Sequence, residues 1–164
     1  MATDENEKFF DLLSSFDTAM LVTQSNENAM IGRPMAIAQV DLTGSVWFIS
    51  ADNTEKVDEI KNDSHVLVTC QRDHGAYLSL SGFATTSKDR AKIAELWKPM
   101  FESWFPEGKG DSRVTLICVK AERGEYWDNR GMNGIRYLYQ AVTAYATGTT
   151  PDIREGEQHG TVRL

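Results

Sequence analysis

The chain has 164 residues, a length that supports one domain burying roughly 70% of its unfolded surface without disulfides or metals as staples. Apolar residues make up 41% and charged residues 25%, which excludes a chain disordered throughout. The 17 cationic and 24 anionic side chains leave a net charge of −7 with no run of Lys and Arg, so nucleic acid is not an expected partner, while a local basic pocket for one phosphate stays open.

Residues 3–16 read as an amphipathic helix. Thr3 can cap it, Asp4, Glu5 and Glu7 complement the positive end of the dipole, and Phe9, Leu12, Leu13 and Phe16 share one stripe. A β-rich stretch follows, with strands expected over 19–23, 31–40 and 46–50 joined by polar turns at 24–28 and 42–45. The third carries apolar residues on both faces. Residues 52–62 read as a helix, with Asp52 and Glu55 as a capping box and Val57 and Ile60 inward. Strands are expected again over 65–70 and 77–85, around a turn at Asp73–His74–Gly75. Ser87 then caps a helix through Trp97, and Pro99 breaks it. An aromatic loop, 101–110, ends in Gly-Lys-Gly. The last strands are expected over 113–120 and 125–127, and a terminal helix over 135–146.

Six or seven strands with short connections imply a mainly β, α+β fold built on a mostly antiparallel sheet. Closure into a barrel is the economical way to remove its edges. Residues 1–148 are expected to form the single domain and 149–164 a polar, poorly ordered tail. No apolar run approaches the roughly 20 residues that span a bilayer, so no membrane is expected. The acidic, polar segment 1–8 does not read as a targeting peptide, and Cys70 and Cys118 lie far apart inside apolar runs. A cytoplasmic protein with free thiols is the expectation.

Most familiar chemistry is missing. Gly108–Lys109–Gly110 lacks phosphate-loop spacing, no G-x-G-x-x-G follows a strand, and no G-x-S-x-G elbow or Cys–His pair is present. His65, His74 and His159 have no neighbours at metal-ligand spacing, so no metal is expected. Three weaker signals remain. Lys56 sits one turn into its helix, where positive charge is disfavoured unless an anion is held there by the backbone N–H groups, with Thr54 adding a hydroxyl; it can equally extend into water. Arg33 lies in an apolar strand beside Pro34, which cannot donate to a ladder and marks an edge or an irregularity; the arginine either meets a ligand there or snorkels to solvent. Trp97, Phe101, Trp104, Phe105 and Trp127 suit a planar ring or an ordinary core.

Taken in order and spacing, these segments resemble the flavin-binding split-barrel superfamily of pyridoxamine-phosphate oxidase, and within it the bacterial general stress protein branch. The resemblance rests on Gly32–Arg33–Pro34–Met35, on Val46–Trp47–Phe48–Ile49–Ser50 with Thr54–Glu55–Lys56, and on Tyr77–Leu78–Ser79–Leu80–Ser81–Gly82. It continues through Trp104–Phe105–Pro106–Glu107–Gly108 to Glu125–Tyr126–Trp127–Asp128. It implies an FMN-binding split β-barrel. In that family the segment at Arg33, Pro34, Met35 and Ala36 and the strand end at Ile49 and Ser50 contact the flavin, largely through backbone. The Lys56 position binds the ribityl phosphate, Tyr77 lies beside the ring, and Trp127 comes from the other subunit of a homodimer. Trp104 belongs to the aromatic loop suited to a ring. The stretch after Trp127 reads Asp128–Asn129–Arg130–Gly131–Met132–Asn133–Gly134 and lacks the Arg-x-His element of the oxidases acting on pyridoxamine phosphate. The expectation is therefore a stress-related FMN protein, either an oxidoreductase with a small-molecule redox partner or a non-catalytic flavin-binding or sensing protein.

Overall fold

The computed structural model describes residues 2–73, 75–130, 132–150 and 158–164. The expected turn residue His74 lies outside the described residues. Helix α1 (Ala2–Ser14) leads into β1 (Thr18–Gln24), β2 (Met30–Val40) and β3 (Ser45–Ala51). Helix α2 (Glu55–Asn62) precedes β4 (His65–Arg72) and β5 (Ala76–Ser87). Helix α3 (Arg90–Leu96) and two 3-10 turns, Pro99–Ser103 and Gly108–Gly110, lead to β6 (Val114–Asp128), α4 (Met132–Thr147) and β7 (His159–Arg163).

All strand pairs are antiparallel. The order β3-β2-β1-β4-β5-β6 is closed by pairing of β3 with the first half of β6, giving a six-stranded barrel, and β7 adds to the far half of β6. Alternation explains the packing: in β1, Ala19, Leu21 and Thr23 turn inward while their neighbours are more exposed. Every barrel strand feeds one core, through Leu21, Ile37, Phe48, Val68, Leu80 and Val119, and α1 packs Phe9, Leu12, Leu13 and Phe16 into it. The two-faced character of β3 has a direct cause. Val46 and Phe48 face that main core, whereas Trp47 and Ile49 join a second cluster with Ile93, Leu96, Phe101 and Phe105 from α3 and the turns after it.

Several boundaries differ from the sequence reading, each for a local reason. Helix α2 starts at Glu55, not Asp52, because the Asp52 carboxylate pairs with Lys88. Its N-cap Thr54 makes no side-chain cap, since the hydroxyl donates to the Ala51 carbonyl at 2.8 Å. Helix α3 is capped by Asp89, which accepts from the Ala91 and Lys92 N–H groups, while Ser87 accepts from the Asp89 N–H. The two last strands are one, β6, kinked where Ser81 pairs Arg123 but Gly82 pairs Ala121. A Cβ at Gly82 would overlap the Lys120 carbonyl, so the close backbone approach at this bulge demands glycine. The tail expected after residue 148 is in part structured: β7 continues the sheet, with Val162 buried opposite Gly124. Among the described residues, no helix is long and apolar enough to cross a membrane.

Candidate functional site

Pro34 explains the position of the main cavity. Strand β2 pairs with β1 through the register Thr18–Ala36 to Gln24–Met30, but with β3 only from Ile37 onward, and with a bulge at that point. Residues 30–36 therefore have one side free of ladder bonds, which is where a residue without an N–H is tolerated. A cavity of about 310 Å³ opens against this side. Pro34, Met35 and Ala36 form one wall, and the end of β3, Ile49, Ser50 and Ala51, forms another. Thr54 and Lys56 enter from the first turn of α2, and Phe101, Trp104 and Phe105 from the aromatic turn. Phe101 and Phe105 are also core residues, while Trp104 is mostly exposed at the rim. The aromatic loop thus serves both as core and as cavity wall.

Two cations line the cavity, Lys56 and Arg113. The Arg113 guanidinium is committed to Asp111, donating through Nε at 3.1 Å and Nη2 at 2.8 Å, and its backbone N–H donates to the same carboxylate at 2.9 Å. Asp111 is only 2% exposed, and these donors hold its carboxyl down to about 2. Lys56, in contrast, has no hydrogen bond or ion pair among the described residues. Burial and, secondarily, the charge of Arg33 push its ammonium below the ordinary lysine value, and the Glu59 carboxylate partly opposes them. A half-buried, unpaired cation at a helix N-terminus attracts an anion.

The Arg33 side chain does not line the cavity. Its Nη1 donates to Glu59 at 2.8 Å and to the Thr23 hydroxyl at 2.9 Å, and Nη2 reaches Glu59 at 3.1 Å and Glu55 at 3.4 Å. Its partners on α2 are the reason: Arg33 is held by Glu59, a buried carboxylate one turn beyond Lys56, and more weakly by Glu55. The two cations are neighbours, but in the described structure only Lys56 faces the cavity. Tyr77 and Trp127 lie elsewhere, opposite one another across β5 and β6. Tyr77 is exposed, and Trp127 stacks on His159 with centroids 4.9 Å apart. Nine of the eleven residues expected at a site thus fall in or beside one cavity, counting Arg33 as adjacent and setting apart Tyr77 and Trp127. Arg113 and Ala51 were not anticipated. The spacing of Asp111 and Arg113 across the entry to β6 is the signal that could have found Arg113. No group of three metal-ligating side chains exists among the described residues.

The fold is shared with known proteins. The model of the family described as pyridoxamine 5'-phosphate oxidase like matches residues 4–152. The chain belongs to that family. Among curated relatives, protein bli-3 of Neurospora crassa is 29% identical over 130 residues, 70% of this chain; the chain spans 62% of that relative's length. Among solved structures, a general stress protein 26 from Jannaschia sp. CCS1 superposes with a TM-score of 0.75 at 29% identity, over 99% of both chains. The general stress FMN/FAD binding protein of Xanthomonas citri gives 0.67 at 26% identity, covering 79% of this chain and 92% of its own. The split barrel expected of this pyridoxamine 5'-phosphate oxidase like chain is the fold observed.

The Asp111–Arg113 clamp fixes the floor of the cavity, and its pH signature follows from the sign of the shift. The folded carboxyl, near 2, lies below the ordinary 3.8, so the clamp stabilises the fold fully above that ordinary value. This contribution is lost as pH falls from there toward 2. Urea midpoints measured on the wild type and Asp111→Asn should differ at pH 6 and converge near pH 2. A gap independent of pH would show that the carboxylate charge is not what Arg113 reads.

Proposed function

We propose that this chain binds flavin mononucleotide in the cavity, with the phosphate held at the start of α2. The observation that carries the reading is Lys56, a cavity-lining cation left without a carboxylate while its neighbours Arg33 and Arg113 are both neutralised. The first N–H groups of α2 add donors at the same point, while the Thr54 hydroxyl is already given to the Ala51 carbonyl. The residues fit the group: apolar walls for a ring, Ser50 and the unladdered backbone of 34–36 for its polar edge, and a cation for its phosphate. The volume lies at the low end of the range for small-molecule sites, about 300–1,000 Å³, as expected of a pocket completed by another surface. A second copy of this chain is that surface in our reading, presenting Tyr77 and Trp127 to the exposed side of the ring. Arg33 then acts from behind, fixing α2 through Glu59. The flavin-binding stress protein of Xanthomonas citri supports the cofactor class.

A bound flavin supplies electron or hydride transfer, and the chain supplies binding and orientation. The reading is a flavin-dependent oxidoreductase acting on a small molecule. One observation favours the alternative of a flavin-holding or sensing protein: no carboxylate, histidine or thiol lines the cavity, so among its described residues Lys56, here assigned to the phosphate, is the one evident proton donor. Cys70 and Cys118 are free, and burial pushes the Cys70 thiol up to about 12, which keeps it unreactive and fits a reducing, cytoplasmic setting.

The test is titration of flavin-free protein with FMN and with riboflavin, followed by flavin absorbance and sedimentation. FMN should bind more tightly, and Trp127→Glu should weaken binding. A colourless protein that takes up neither compound defeats the reading, and a monomer with full affinity defeats the shared site. Reduction of the bound flavin by a nicotinamide donor with repeated turnover separates the oxidoreductase from the holding protein.

A further inference from the structure

The barrel interior changes character at its last rung. The inward side of β5 is apolar through Ala84 and that of β6 through Val119 and Ile117, and alternation then puts a hydroxyl on each strand, Thr86 and Thr115. Buried Thr115 donates to the Ser87 carbonyl at 3.1 Å, while the Thr86 hydroxyl makes no hydrogen bond among the described residues. Helix α2 packs over this end through Val57, and a second cavity of about 270 Å³ remains beside it. No residue lines both cavities. The turn after β3 gives Ala51 and Thr54 to the first and Asp52 to the second.

This second cavity is rich in donors and short of acceptor charge. Asp52 is its one carboxylate, set against the ammoniums of Lys61 and Lys88. Lys88 donates to Asp52 and to the Ser112 carbonyl at 2.7 Å, which leaves one of its three N–H groups unassigned. Lys61 has only a loose approach to Asp58, at 4.0 Å. The hydrogen bond from Lys88, followed by the charges of Lys88 and Lys61, holds the Asp52 carboxyl below its ordinary 3.8 despite desolvation, so the three groups share one local field. The balance is one cation in excess beside an unused hydroxyl, in a chain whose net charge is −7. Such a pocket attracts an anion. Two ammoniums are point charges without the planar fork that matches a carboxylate, so a tetrahedral oxyanion suits them better. We propose that this cavity is a second ligand site, binding phosphate or the phosphoryl group of a small ester between Lys61 and Lys88, with Thr86 as a hydroxyl donor. It requires neither a bound flavin nor a second copy of the chain.

The test is isothermal titration of the full chain with sodium phosphate at low ionic strength, because salt screens partly exposed charges. The chain carries Lys56→Ala, which removes the cation of the first cavity and any anion bound there, and one phosphate per chain should still bind. Adding Lys61→Met should weaken that binding at least about 10-fold, the lower end for a hydrogen bond to a charged group, and Lys61→Arg should keep most of it. Melting should barely move, since the Lys61 ammonium has only the loose contact to Asp58. Thr86→Val conserves shape, removes the hydroxyl and should weaken phosphate severalfold. Should Lys61→Met fail to fold, Thr86→Val decides alone. Glycerol 3-phosphate binding as tightly as phosphate or tighter identifies a small ester as the occupant, and weaker binding identifies free phosphate. The proposal is overturned if neither compound is taken up, if acetate binds as tightly as phosphate, or if Lys61→Met and Thr86→Val leave the phosphate Kd unchanged. The flavin reading fails separately: a wild type that takes up phosphate at this cavity but no FMN leaves the second site standing and removes the first.

Discussion

Glu59→Ala should destabilise the fold by about 3 kcal/mol, read as a lower urea midpoint at neutral pH. The Glu59 carboxylate is nearly fully buried and accepts three hydrogen bonds, two from Arg33 at 2.8 and 3.1 Å and one from the Thr23 hydroxyl at 2.5 Å. Removing one member of a buried pair leaves the other charge uncompensated, which costs about 3–5 kcal/mol. The lower end applies because the Arg33 side chain keeps 21% of its exposure and a weaker contact to Glu55. The sign with pH follows the same geometry. Hydrogen bonds from Arg33 hold the Glu59 carboxyl below its ordinary 4.5 despite burial, so its contribution is complete above that value and fades as pH falls below it. The wild type and the variant should therefore approach each other in acid. A loss under ~1 kcal/mol at neutral pH would mean that Arg33 finds solvent as readily as it finds Glu59.

The same pair shows how much of the site the sequence could reveal. Arg33 and Lys56 were both legible as misplaced cations, one in an apolar strand and one in the first turn of a helix. What the sequence did not disclose is that Glu59 neutralises one of them. Carboxylates on an amphipathic helix ordinarily face water, and only the closure of β1 and β2 against α2 turns this one inward. Arg113 escaped for the opposite reason: a basic residue at a strand entry is unremarkable until Asp111 is seen buried beneath it. The strands were legible because period-two alternation and turn residues are local. Helix α4 was legible as a helix, since its periodicity is local too. Barrel closure through β3 and β6, and the return of β7, depend on pairings between residues far apart in the chain. No local pattern specifies them.

Lys56→Ala should weaken FMN binding by roughly 1.5–3 kcal/mol, the range for a hydrogen bond to a charged group, or about 10- to 150-fold in Kd. The alanine keeps the helix, since α2 gains a residue of high helical propensity and loses a cation from its positive end. Stability should therefore hold or rise slightly while affinity falls, which separates a binding defect from a folding one. Riboflavin supplies the control. It lacks the phosphate, so the substitution should cost it little, and the gap between the two ligands in the wild type should shrink in the variant. The unpaired ammonium also predicts a direction with pH. Burial and Arg33 lower its proton affinity in the free protein, and an adjacent phosphate dianion would raise it, so binding should take up a fraction of a proton at alkaline pH. Affinity for FMN would then decline as pH rises through the lysine range, and the decline would vanish in Lys56→Ala. Equal losses for FMN and riboflavin would place the phosphate elsewhere and leave Lys56 as a packing residue at the cavity wall.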